Sequence, residues 1–260
     1  MRFMVLSKRS IFVGFCLCLS ALLVVSGVLN RYAVLETAKT GQKKLPVYCV
    51  DTQEPKVALT FDAAWGADDT DELLTILADY NAKATIFAVG DFVRAYPQQV
   101  KKFHEAGHEI ANHSDKHVLY DTLSQEEIKR DIEACNAAIE AVIGQKPTHL
   151  RVPSGAYTDM AIRAAESLSM QTVQWSVDSL DWRGLSVEDM VKRVTGATQN
   201  GSILLFHNDV KNTPEALRQI LKVLSARGFQ FVTVEELLYK PPFRLDFAGK
   251  QISTPVQPKQ

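Results

Sequence analysis

Residues 57–62 read VALTFD, a run of apolar and β-favouring residues closed by a single carboxylate. The same design recurs along the chain. ATIFAV (84–89), EIAN (109–112), HLRV (149–152), TVQWSV (172–177), ILLF (203–206) and FQFVTV (229–234) are strand-like, and helical segments lie between them. Seven strand-then-helix units between Val57 and Leu238 imply a parallel sheet, and right-handed crossovers bring the loops after its strands to one side. Periodicity leaves a closed barrel and an open sheet both open, with seven units leaning toward closure.

Polar residues gather where those strands end. Asp62 closes the first run, His113 and His117 follow EIAN, Arg151 ends HLR, Asp178 and Asp181 follow QTVQWSV, and His207 follows ILLF. In barrels and open α/β sheets alike, ligands sit beyond the carboxyl ends of the parallel strands. Five separate segments therefore contribute to one place, and the chain reads as an enzyme.

The helices carry their own signals. In 124–143 the residues Ile128, Ile132, Cys135, Ile139 and Val142 repeat at four, three, four and three, and Ser124 with Glu127 forms a capping box. Thr213 followed by Pro214 opens another helix, with Pro at its first position. Gly107, Gly144 and Gly228 end helices where a left-handed residue is wanted.

With 260 residues, 46 % of them apolar, the chain can bury a sizeable core. A formal charge of -1 with interspersed signs gives no basic stripe, so nucleic acid is not an expected partner. Residues 11–29 are uncharged and mostly apolar, follow Arg2, Lys8 and Arg9, and would span roughly 28 Å as a helix. We read 1–30 as a signal-anchor that holds the protein in the cell membrane as a single pass with its domain outside the cytoplasm, a cleaved signal peptide being the alternative. Residues 31–45 read as a linker, 46–240 as the catalytic domain and 241–260, with four prolines, as an irregular tail. Cys49 and Cys135 are the only cysteines of the globular part; an oxidising compartment permits a disulfide between them, but two free thiols are the simpler reading.

Each polar group has two readings. His113 and His117 in HSDKH are four apart, a spacing that lets both reach one metal from a helical turn or tight loop, or they are two surface histidines. Asp62 can act as a general base beside the small Ala63 and Ala64, or it makes a turn. Arg151 is held by a carboxylate, Asp62 being the natural one, or lies at the surface. Trp182 is a carbohydrate platform or plain packing, and His207 needs a carboxylate such as Asp181 to stay protonated.

Taken together, TFD (60–62), HSDKH (113–117), RVPSG (151–155), DSLDW (178–182) and LFH (205–207) resemble the five ordered motifs of the NodB-type polysaccharide deacetylases, carbohydrate esterase family four. The resemblance implies a distorted (β/α) barrel of about seven strands and metal-assisted hydrolysis of an N-acetyl group on a sugar. It makes Asp62 the base, His113 and His117 the metal ligands and His207 the acid, with Arg151 orienting Asp62 and Asp181 tuning His207. Trp182 and Leu205 would wall the acetyl methyl group, and a backbone N–H near Ser154 would complete the oxyanion site. The metal implied is divalent, zinc first, with cobalt or manganese as alternatives.

Two positions depart from the family pattern. The second Asp that usually follows the base, a metal ligand, is Ala63 here, which puts the third protein ligand in doubt; water, Asp62, Asp68 or Asp69 could fill the position, although Asp68 and Asp69 also suit a helix N-cap. Ser154 stands where Tyr is common. TFDAAWG is similar to the sporulation-associated, membrane-anchored branch. Two functions follow: an N-deacetylase of cell-wall glycan, most readily peptidoglycan, or a catalytically impaired glycan-binding or morphogenesis protein on the same fold.

Overall fold

Lys56–Ala63 is the central strand of the sheet, and its neighbours explain where the site lies. A computed structural model describes residues 43–254, so the expected membrane segment, most of the linker and residues 255–260 lie outside the described residues. From Lys44 the described chain forms one compact unit. Among the described residues no helix is long and apolar enough to cross a membrane.

On one side the central strand pairs in parallel with Ile203–His207. On the other it pairs with Gln230–Val232 along its first half and with Thr85–Ala88 along its second. Glu109–Asn112, His149–Leu150 and Gln171–Thr172 continue the sheet beyond Thr85–Ala88, and Val177–Asp178 ends it beyond Ile203–His207. The result is a curled, all-parallel sheet with helices packed on its outer face.

Strand alternation sorts the central strand between two cores. Leu59, Phe61 and Ala63 face the helices and join Leu73, Ile76, Leu77 and Phe206 in the main core. Ala58 faces inward with Val47, Phe87, Ala111, Val173 and Ile203, which fill the curl. Thr60 and Asp62 share the parity of Ala58, so Asp62 emerges at the upper end of the inner face.

The two edges of the sheet come from one segment. TVQWSV, expected as a single strand, divides into Gln171–Thr172 and Val177–Asp178, which stand at opposite edges. Val173 N–H still donates to Leu150, Gln174 N–H donates to Val47, and Ser176 N–H donates to Ile203. The residues between thus bridge the opening of the barrel. A period of two fits both halves and cannot mark the change of partner.

The helix signals are largely realised. Gln125–Ile143 carries both halves of the capping box, buries Ile128, Ile132, Cys135 and Ile139, and ends at left-handed Gly144. Gly107 and Gly228 likewise adopt positive φ, at 83° and 86°. The helix Thr213–Ala226 starts one residue earlier than expected, with Pro214 second. Cys135 is buried and Cys49 half-buried, and both are free.

The tail is a correction. Phe243–Leu245 and Lys250–Ser253 form an antiparallel pair, and the second lies parallel to Cys49–Val50 in a separate three-stranded sheet. The two strands pair with each other at short range, but they are three and four residues long among prolines, and the further partner of the second, Cys49–Val50, lies about two hundred residues away and leaves no local pattern.

Candidate functional site

The strands end level. Asp62 is the register partner of His207, and Asn112, the residue before His113, is the partner of Leu150, the residue before Arg151. Asp62, His113, His117, Ser154, Trp182, Leu205 and His207 consequently line one cavity of about 340 Å³. Arg151 and Asp181 stand behind it, each holding a residue that faces in.

Arg151 is fully buried, which excludes the surface reading. Its Nη1 donates to Asp62 Oδ1 at 2.7 Å and to Thr60 Oγ1 at 2.9 Å, and Nη2 donates to the Gln174 carbonyl at 3.0 Å. The guanidinium also lies 4.0 Å from the centre of the Phe87 ring. Burial alone would raise the Asp62 carboxyl, but attraction to His113, Arg151 and His207 outweighs it and holds the group below the ordinary carboxylate range. Burial holds His113 near a pKa of about 4, so at neutral pH that ring is uncharged and the attraction comes from Arg151 and His207. Asp62 is therefore an ionised carboxylate, the form a base requires.

The second pair is built around Asp181, which is 1 % exposed. Its Oδ1 accepts from His207 Nδ1 and from Trp182 N–H, both at 2.8 Å, and its Oδ2 accepts from His207 N–H at 2.8 Å and from Thr213 Oγ1 at 2.9 Å. Four donors fix the carboxylate, and the carboxylate fixes the tautomer of His207, so that Nε2 is the nitrogen free to serve the cavity. Burial opposes the charged ring, yet the hydrogen bond and charge of Asp181, helped by Asp62 and Asp178, win, and the His207 pKa is raised.

The histidine pair follows from a tight turn after Glu109–Asn112. Asn112 Oδ1 accepts from Ser114 N–H, Ser114 Oγ accepts from His117 N–H, and both Ser114 and His117 take positive φ. The two imidazole centroids end 5.0 Å apart. His113 Nδ1 donates to the Arg151 carbonyl at 2.8 Å, which leaves a lone pair on Nε2, 3.3 Å from Asp62 Oδ2. Burial also lowers the His117 pKa. Two neutral imidazoles, one fixed by a backbone carbonyl, with a carboxylate oxygen alongside, fit a divalent cation.

The third protein ligand does not appear. Among the described residues no group of three His, Cys, Asp or Glu side chains is set to hold a metal ion. Ala63 is 1 % exposed and packs on the helix side of the sheet with Leu59 and Phe61. Asp68 and Asp69 do not line the cavity: Asp68 is exposed, and Asp69 Oδ2 accepts from Asp209 N–H at 2.8 Å. Asp69 occupies the N-cap position of Thr70–Asp79, but its side chain makes no capping hydrogen bond.

Several contributors have little or no sequence signature. Trp65 and Trp175 join Trp182, so all three tryptophans of the chain line the cavity. Trp65 is 68 % exposed and its ring lies 5.9 Å from that of His117. Asp178, seen in the sequence but given no role, also faces in. Thr60, Gln174 and Thr213 support Arg151 and Asp181 from distant segments, and the only signal in the sequence was the place of Trp65, three residues after Asp62.

Comparison with known proteins agrees with this arrangement. A family model described as polysaccharide deacetylase matches residues 50–173. The uncharacterized protein YlxY of Bacillus subtilis is 34 % identical, over 74 % of this chain and 60 % of its own length, so the chain spans about three fifths of that relative. A peptidoglycan-N-acetylglucosamine deacetylase of Bacillus cereus is 36 % identical over 73 % of this chain and 91 % of that protein. Among solved structures, a carbohydrate esterase family four pseudoenzyme from Bacillus anthracis superposes with a TM-score of 0.72 at 32 % identity, covering 74 % of this chain and 68 % of that one. A mutant of the same protein, described as having restored enzymatic activity, matches at 33 % identity with the same TM-score. With its five strand-end motifs gathered on one cavity and relatives of this identity and coverage, the chain belongs to the polysaccharide deacetylase family, carbohydrate esterase family four.

Proposed function

We propose that the protein hydrolyses N-acetyl groups on a cell-wall glycan, most readily peptidoglycan, and releases acetate. The observation that carries this is the pairing of an ionised Asp62, held by buried Arg151, with a His207 whose pKa Asp181 raises, both on one cavity. A base and an acid with pKa values pushed apart are what a single hydrolysis needs at neutral pH.

In this reading Asp62 takes a proton from water as its oxygen bonds to the acetyl carbon. His207 Nε2–H then protonates the nitrogen as the C–N bond breaks, leaving acetate and the free amine. Arg151 keeps Asp62 ionised and oriented, and Asp181 keeps His207 protonated. Trp182 and Leu205 enclose the methyl group, and the backbone N–H at Ser154, on a left-handed turn at the cavity wall, receives the developing oxyanion. His113 and His117 would hold a divalent cation, zinc first, with cobalt or manganese as alternatives, which supplies Lewis-acid polarisation of the amide carbonyl. Acetate release by the full chain from peptidoglycan and chitin oligomers, with each metal in turn, tests the reading; no release under any condition refutes it.

A second reading is favoured by one residue. Ala63 removes the third protein ligand, and a similar chain is described as a pseudoenzyme, so a glycan-binding or morphogenetic protein is the alternative. Tight glycan binding without acetate release would select it. For location we propose a single-pass anchor at residues 11–29 with the domain outside the cytoplasm, in reach of the wall. Protease accessibility on intact protoplasts tests this, and a fully protected domain would overturn it.

A further inference from the structure

Ser154 and Gly155 form the turn that follows Arg151, and both take left-handed backbone angles, with φ of 56° and 69°. Glycine adopts such angles without strain. A serine does not, and it keeps them only where its surroundings hold it there. The turn's own hydrogen bonds are all local: Gly155 N–H donates to Val152, Ala156 N–H to Pro153 and Tyr157 N–H to Gly155. They leave the N–H of Ser154, a residue of the cavity lining, without an acceptor among the described residues.

Support from outside the turn comes from the segment that bridges the opening of the barrel. A Cβ on Gly155 would lie 3.1 Å from Cη2 and 3.8 Å from Cζ2 of Trp175, and 3.6 Å from Gln174 Oε1. The far edge of the indole therefore leaves too little room for even a methyl group and rests against the glycine backbone. Trp175 is itself seated, half-buried against the inner core that holds Val47, Phe87 and Val173. Its ring centre lies 5.5 Å from the Arg151 guanidinium carbon, and the Gln174 carbonyl accepts from Arg151 Nη2 at 3.0 Å. One dipeptide thus touches both the arginine that holds Asp62 and the turn that carries Ser154. The far end of that loop is held separately, by Tyr157 against Tyr48, with ring centres 6.5 Å apart.

We propose, resting on the reading of the chain as an N-deacetylase, that Trp175 is a positioning residue for that reaction: its indole edge braces the turn at Ser154 and Gly155, so that the Ser154 N–H is in place before the oxyanion forms. A donor fixed in advance needs no reorganisation at the moment of reaction. Trp182 and Leu205 wall the methyl group directly, whereas Trp175 acts through the backbone of a neighbour. The two roles separate in kinetics. A wall that holds ground state and transition state alike moves KM, and a brace on the oxyanion donor moves kcat.

The test measures acetate release by the full chain with Zn²⁺, from a chitin tetramer and from peptidoglycan, in wild type, Trp175→Phe, Gly155→Ala and the double variant. Phe keeps an aromatic ring on the inner core but is too short to reach Gly155. Trp175→Phe is expected to lower kcat about 10- to 100-fold, the range for a donor displaced by up to about 1 Å, with KM within about twofold of wild type. The alkaline limb of its pH-rate profile should stay in place, because His207 and Asp181 are untouched. Gly155→Ala should also lower kcat, since its methyl group meets the indole. In the Trp175→Phe background that methyl has room and only the backbone strain remains, so the two losses should combine to less than their product. A raised KM with kcat unchanged, losses that multiply, or a shifted alkaline limb overturns the proposal and leaves the deacetylase reading standing. Circular dichroism checks each fold, and should Trp175→Phe not fold, Trp175→Met, which fills the same space flexibly, takes its place in the comparison. If wild type releases acetate from neither glycan, the deacetylase reading and this proposal fail together.

Discussion

Replacing Asp181 by Asn removes one charge and one acceptor while keeping the shape of the side chain, and the structure says what should follow. The Oδ1 side survives: an amide oxygen can still accept from His207 Nδ1 and Trp182 N–H, though without the charge. The Oδ2 side does not, because an amide nitrogen would face His207 N–H donor to donor, while Thr213 Oγ1 can turn to accept. One weakened charge-assisted hydrogen bond and one orphaned buried N–H together cost about 2–4 kcal/mol. In a domain of this size that is a fall of roughly 4–16 °C in Tm. The sign with pH is also fixed. The folded-state pKa of His207 is raised, so the stability it contributes is fully present below the unfolded value of about 6.5 and is lost as pH rises through the folded value. The Tm difference between wild type and Asp181→Asn should therefore be largest in mild acid and narrow toward alkaline pH, and proton NMR of the His207 ring should show it titrating lower in the variant. A Tm difference that is flat or widens with pH, or an unmoved His207 titration, would refute the assignment of Asp181 as the group that keeps His207 charged.

Asp62→Asn and His207→Ala should each lower acetate release about 10²- to 10⁴-fold, with circular dichroism unchanged; activity near wild type in either would remove it from the acid and base pair. Acetate release should fall on the alkaline side as His207, with its raised pKa, loses its proton, and a pH-rate profile checks that limb. Ala63→Asp buries a carboxylate where Ala63 packs with Leu59 and Phe61 on the helix side of the sheet, so Tm should drop, and added Zn²⁺ should raise wild type and variant equally; a larger gain in Ala63→Asp would show that position 63 reaches the metal site after all. Ser124→Ala breaks the capping box of Gln125–Ile143 and should cost about 0.5–2 kcal/mol in urea unfolding, with no loss there meaning that the cap carries no net stability.

The sequence by itself determined what is local. The run VALTFD, the period of Ile128, Ile132, Cys135 and Ile139, the Ser124–Glu127 cap and the left-handed glycines each depend on neighbours a few residues away, and each appears in the structure as read. The position of polar residues after strands was equally legible, because parallel strands end on one rim whatever the closure. Tertiary structure alone decided what depends on distant partners. TVQWSV breaks in two because its hydrogen bonds pass from Leu150 to Val47 and then to Ile203, and the short tail hairpin becomes part of a three-stranded sheet because Cys49–Val50 pairs with its second strand. The environment of each charge belongs to the same class: Thr213 reaches Asp181 from 32 residues on, and Arg151 is held by Thr60, Asp62 and Gln174 from two other segments. Ala63 is visible in the sequence, but only the fold turns its side chain toward the helices, because alternate residues of a strand face opposite sides and Asp62 takes the inner one.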